Sequence, residues 1–149
     1  MSLTINEYPL IYILWNLFLA LIPFFLFYLL RREVSNKQPS WFKAIVISGI
    51  WLLFLPNSAY IINETRHIIS DCPLSYDRVC ANEVWLIPFF FTYALLGYLI
   101  FVWQIRQARI LIEEMGGKTL SYISVPVLIL IDALGVMIGL VERYNSWDV

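Results

Sequence analysis

Four stretches of about twenty mainly apolar residues, each long enough to cross the hydrocarbon core of a bilayer, constrain this chain more than anything else in it: residues 8–30, 42–62, 84–105 and 120–141. Polar segments 31–41, 63–83 and 106–119 separate them. Lipid offers no partner to backbone N–H and C=O groups, and a helix satisfies its own. The pattern therefore predicts an all-α polytopic membrane protein, a bundle of four transmembrane helices in a single domain over residues 1–149. Composition agrees: 60% of the residues are hydrophobic and 14% charged, against about 25% charged in a soluble domain. A water-soluble globule of 149 residues has too little interior to hide that apolar excess.

The net charge of −1 leaves no basic surface for nucleic acid and no lysine run for an electrostatic lipid switch. Met1 to Pro9 contains no Lys or Arg, and no small-residue cleavage site follows the first apolar segment, so that segment reads as a retained span. Lys and Arg near span ends favour the cytoplasmic side. Arg31, Arg32, Lys37, Lys43, Arg106, Arg109 and Lys118 fall on one side and Arg66, Arg78 and Arg143 on the other, seven against three. The sequence thus predicts a multi-pass protein of the cell membrane, with both termini and the 63–83 loop extracytoplasmic.

Several features have structural readings. Arg109 and Glu113 stand at i and i+4, predicting that the third helix continues past the membrane as far as an αL stop at Gly116-Gly117. Trp15, Trp41, Trp85, Trp103 and Trp147 lie at or near span ends, where indole rings anchor at headgroup level. Pro23, Pro56, Pro88 and Pro126 fall in or near spans and read as kinks.

Polar residues inside the spans are the candidates for function, because each is costly in lipid unless it faces protein. Counted from the outer ends of their own segments, Asn16 and Asn57 sit roughly 8–10 Å deep at 1.5 Å per residue, which predicts a shared layer. Interhelical hydrogen bonding accounts for both without further function. Asp132 lies near the middle of the last span, where an aspartate costs about 2.5–3.5 kcal/mol. With Gly135, Gly139, Glu142 and Ser146 it forms one narrow helical face, so this face must point into protein. A hydrogen-bonded structural acid and a proton or ion relay are equally compatible with it.

The 63–83 loop holds Glu64, His67, Asp71 and Asp77. Glu64 and His67 are three apart, the spacing of Glu-x-x-His metal motifs in carboxylate bundles. With a single His in the chain, an interfacial histidine beside a helix-end carboxylate is the better reading, and neither metal nor cofactor is expected. Cys72 and Cys80, the only cysteines, can close a small ring in an oxidising compartment or remain free thiols.

At these polar positions the sequence resembles a known family. Trp15-Asn16-Leu17-Phe18-Leu19-Ala20, Leu53-Phe54-Leu55-Pro56-Asn57 with Tyr60, Pro73 with Tyr76-Asp77, and Gly135, Gly139, Arg143 and Asn145-Ser146-Trp147-Asp148 look like the domain of unknown function 1361 family of predicted bacterial integral membrane proteins. The resemblance covers most of the chain. It implies that Asn57, His67, Asp77, Arg143, Asn145 and Asp148 occupy the family's recurring polar positions. Glu64 stands where the family usually has Asp, Ala59 where it often has Pro, and Leu140 where a second basic residue is common. Members tend to run on beyond the Asn-Ser-Trp-Asp block, which implies a shortened or split member. The resemblance brings no established activity.

Three functions fit these observations. The first is a binding or assembly protein, with a polar pocket near the second and fourth helices at the extracytoplasmic side, built from Asn16, Asn57, Glu64, His67, Asp77, Arg143, Asn145 and Asp148. It would take a lipid headgroup, a peptide or a membrane-protein partner. The second is a membrane-embedded hydrolase using the outer carboxylates and His67, although no Ser-x-x-Lys, His-Glu-x-x-His or Gly-x-Ser-x-Gly pattern is present. The third is an oligomeric transporter with Asp132 as its coupling residue. The first demands least and is favoured.

Overall fold

The computed structural model describes residues 4–5, 8–65 and 85–141. Two short antiparallel strands, β1 (Thr4–Ile5) and β2 (Tyr8–Pro9), lead into α1 (Leu10–Val34), followed by α2 (Trp41–Asn63) and α3 (Leu86–Val141). The architecture is all-α, and these three helices are long and apolar enough to cross a membrane. The expected spans 84–105 and 120–141 both lie within α3, because the segment between them, rich in Gln, Arg, Leu, Glu and Met, is made of good helix formers.

What interrupts α3 is Gly117, at φ 84° and ψ 174°. This is an extended conformation with positive φ that is essentially glycine-only, rather than the αL stop that the Gly-Gly pair suggests. On its far side the chain folds back. Ser121 Oγ donates to the Arg109 carbonyl at 3.2 Å, and the Arg109 guanidinium lies 4.5 Å from the centre of the Tyr122 ring. Twelve residues of straight helix would put about 18 Å between such positions. Residues 86–116 and 118–141 are therefore two antiparallel arms. The Arg109–Glu113 pairing expected from spacing gives way to this cation–π contact, and the ion pair among the described residues joins Arg31 to Glu114 at 3.0 Å.

The remaining contacts fix the helix directions. Phe27 meets Trp51 edge to face at 5.4 Å between ring centres, and Ser58 Oγ donates to the Ala20 carbonyl, so α1 and α2 run antiparallel. Tyr93 donates to the Ile13 carbonyl at 2.9 Å. Together with Arg31–Glu114 at the other end, this aligns the first arm parallel to α1. The Ser40 N–H, at the start of α2, is satisfied by Glu33 Oε1 at 3.0 Å, which closes the short connection between α1 and α2.

The core comprises Phe27, Leu30, Ala44, Trp51 and Leu55 with Ile105, Ala108 and Leu111 of the first arm, and a second cluster holds Ile13, Ala20, Ile61, Phe90 and Tyr93. Two glycines set the close approaches to α2: a Cβ on Gly97 would fall 2.7 Å from Ile61 Cβ, and one on Gly135 would fall 2.5 Å from Pro56 Cγ. Pro56, inside the unbroken α2, is thus a packing surface. Outward the chain is apolar, with Phe42, Phe91 and Leu130 each more than 60% exposed, an inversion that suits hydrocarbon as solvent. Trp15, Trp41, Trp85 and Trp103 are likewise exposed or close to it, as a headgroup belt requires; Trp147 lies outside the described residues.

Candidate functional site

The interior of the bundle carries a continuous polar chain. Trp51 Nε1 donates to Gln104 Oε1 at 3.0 Å, Gln104 Nε2 donates to Ser58 Oγ at 2.9 Å, and Ser58 Oγ donates to the Ala20 carbonyl at 3.2 Å. Gln104 and Ser58 are fully buried. Two links join α2 to the first arm and the third joins α2 to α1, and the polar groups satisfy one another, as buried polar groups must. Sequence reasoning missed this network. The available signal was the presence of Ser58 and Gln104 within otherwise apolar spans, and the placing of Trp51 in mid-span, away from the aromatic belt.

A second polar contact unites two of the expected residues. Asn16 Nδ2 donates to Glu64 Oε1 at 3.1 Å, and Glu64, just past the end of α2, is 2% exposed. Asn57 is not in this layer. Its Nδ2 donates to the Phe54 carbonyl of its own helix at 3.1 Å. The Ala20–Ser58 and Phe27–Trp51 contacts put Asn57 level with residue 21, about 7–8 Å along α1 from Asn16. The expectation of a shared Asn16–Asn57 layer fails because the two helix ends are not level: Asn16, well inside α1, stands opposite Glu64, which lies beyond the end of α2.

The third feature is a groove of about 400 Å³ between the C-terminal half of α2 and the second arm of α3, lined by Ala59, Ile62 and Asn63 on one side and Asp132, Ala133, Val136 and Met137 on the other. Its walls are aliphatic apart from Asn63 and Asp132. Asp132 is 4% exposed, and its Oδ1 has no hydrogen-bond partner among the described residues. The predicted inward face of Asp132 and Gly135 is thus turned toward α2. Gly135, three residues on, allows the two helices to touch at Pro56, and the groove opens alongside that contact.

Of the eight residues expected to form the pocket, Asn16, Asn57 and Glu64 are among those described. Asn16 and Glu64 form one pair, Asn57 bonds within α2, and Asp132, expected as a separate intramembrane acid, lines the groove. Ala59, Ile62 and Asn63 lie on the side of α2 roughly opposite Asn57 and Glu64, which are seven residues apart on one helix face. His67, Asp77, Arg143, Asn145 and Asp148, the second acid Glu142, Ser146, and the cysteines Cys72 and Cys80 lie outside the described residues.

No curated protein matches the chain, and no solved structure does. A family model does, over residues 15–149, under the description "Protein of unknown function (DUF1361)". The match runs from the tryptophan beside Asn16, through the glycine hinge and the Asp132 face, to the end of the sequence. The chain belongs to this DUF1361 family.

Proposed function

We propose that this chain is a binding protein of the bacterial inner membrane, with four spans in a single domain. Two of the spans are the arms of α3, and both termini and the 63–83 segment are extracytoplasmic. The groove beside Asp132 is its ligand site. The seven-to-three Lys/Arg split supports the orientation, and the fold-back at Gly117 supports the span count.

The observation that carries the binding function is the carboxylate of Asp132, buried with an oxygen unsatisfied by the described residues while lining a groove with room for a guest. Intramembrane acids are costly and functional by default. A purely structural role would pair this one, as Asn16 pairs with Glu64. The groove meets the lower end of the 300–1,000 Å³ or so typical of small-molecule sites.

Photo-crosslinking in cells tests this. A photoreactive residue at Met137, in the groove, should give a discrete adduct that Asp132→Asn abolishes. The same residue at Leu130, exposed on the same arm, should give only diffuse lipid adducts. Identical products at both positions would remove the groove as a site.

A further inference from the structure

We infer that the groove between α2 and the second arm of α3 binds a primary ammonium group carried on an aliphatic chain, with Asp132 as its counter-ion. This rests on the groove being the ligand site, as proposed above, and names the chemistry of the guest.

Three observations select that chemistry. The first is charge and hydrogen bonding. Asp132 Oδ1 is buried and lacks a donor among the described residues, and a primary ammonium supplies both an opposite charge and N–H groups. The described basic residues do not reach it: Lys118, the nearest along the second arm, is fourteen residues away, about 21 Å of helix. Lys43, on α2, is sixteen residues before Ala59, about 24 Å.

The second is the wall. Ala59, Ile62, Ala133, Val136 and Met137 present methyl and methylene groups, which match an alkyl chain and leave a multiply hydrated or polyhydroxy guest unsatisfied. A divalent cation is poorly matched as well, since calcium takes six to eight oxygens and no group of three His, Cys, Asp or Glu gathers among the described residues.

The third is size. About 400 Å³ holds an ammonium and several methylenes, whereas a partner helix with its side chains is about 10–12 Å across and would not enter.

The experiment uses the full chain in nanodiscs of phosphatidylcholine, a lipid without a primary amine, with empty nanodiscs as baseline. Calorimetric titration with decylamine, decanol and decyltrimethylammonium separates charge, hydrogen-bond donation and chain. Decylamine should bind at least tenfold more tightly than either control, and Asp132→Asn should reduce that preference below threefold without altering the thermal midpoint. Met137→Trp, which fills the groove and leaves the carboxylate in place, should abolish binding of all three.

Equal affinity for amine and alcohol overturns the ammonium inference and leaves an apolar ligand groove. No binding by any of the three, together with no Met137 adduct in cells, overturns both readings. Arg66, four residues beyond Ile62 in sequence, sets a further arm: an amine preference that emerges only in Arg66→Gln would mean that the chain's own arginine is the counter-ion, and would overturn the inference. Phosphatidylethanolamine doped into the nanodiscs identifies the source of the amine: competition with decylamine supports a lipid headgroup, and its absence supports a single-chain amine.

Discussion

Asn16 donates to Glu64 across 3.1 Å, so the first turns of α1 hold the residue just past the end of α2, with a buried carboxylate as acceptor. Polar pairs between membrane helices couple by about 0.6 kcal/mol on average and up to about 1.7. The burial of Glu64 places this pair toward the upper value. A double-mutant cycle with Asn16→Ala and Glu64→Ala, read by thermal unfolding in detergent, should give a coupling of about 1 kcal/mol. Additive effects would mean that the contact stabilises nothing.

The Trp51–Gln104–Ser58 chain should matter more, because its members are buried and interdependent. Gln104→Leu leaves the Trp51 N–H without its acceptor and Ser58 without its donor, and an unsatisfied buried polar group costs about 1–3 kcal/mol. Ser48→Ala is the control, since that hydroxyl bonds only back to the Ala44 carbonyl of its own helix and should cost under about 0.5 kcal/mol. Comparable unfolding midpoints for the two variants would show that the chain is dispensable.

Adjacent glycines should behave differently. Gly117→Ala places a side chain at φ 84° and should cost about 1–3 kcal/mol in strain. A Cβ on Gly116 would meet the Leu120 side chain, most closely its Cδ2 at 2.5 Å, the movable end of a flexible side chain, and Gly116→Ala should be close to neutral. Thermal unfolding of the two variants checks the order; a larger loss at Gly116 would contradict the hinge geometry.

Gly135→Ala tests the seam beside the groove. Its Cβ would meet the Pro56 ring at 2.5 Å. A ring closed onto its own backbone cannot rotate away, so the second arm must shift, at a cost of about 1–3 kcal/mol. Cysteines introduced at Ala59 and Ala133, on opposite walls, should cross-link less efficiently in this variant. Unchanged yield would show that the seam does not set the width of the groove.

Orientation is checked by labelling whole cells with a membrane-impermeant thiol reagent. Asn36→Cys, between α1 and α2, and Lys118→Cys, beside the hinge, should both react only after permeabilisation when the native cysteines are replaced by serine. With those cysteines retained, Cys72 and Cys80 should react from outside after reduction. Labelling of positions 36 and 118 on different sides would break the fold-back topology.

The sequence disclosed what lipid solvation alone decides. Apolar length marks α1 and α2 to within a few residues, and the placing of Asp132 beside Gly135 points their face inward, as the Pro56 contact bears out. It did not disclose what depends on register. Asn16 stood out as a polar residue within a span and Glu64 as a carboxylate of the outer loop, yet their pairing depends on how far α1 slides along α2. Gln104 was overlooked because it stands at the edge of a hydropathy window, where polar residues attract no notice. The helical continuity of α3 was hidden for a related reason: residues 106–116 are polar enough to read as a connection, while their backbone propensities are those of a helix.

The glycine break in α3 also makes the bilayer a guardian of a single dihedral angle. Fifty-six residues of unbroken helix would form a rod of about 84 Å, nearly three times the thickness of a hydrocarbon core of about 30 Å. A rod of that length would leave one greasy half in water, so any fluctuation that straightens Gly117 is opposed by the whole apolar surface of the second arm. The connection thus needs no long loop: one residue permits the reversal, and the immiscibility of oil and water keeps it closed.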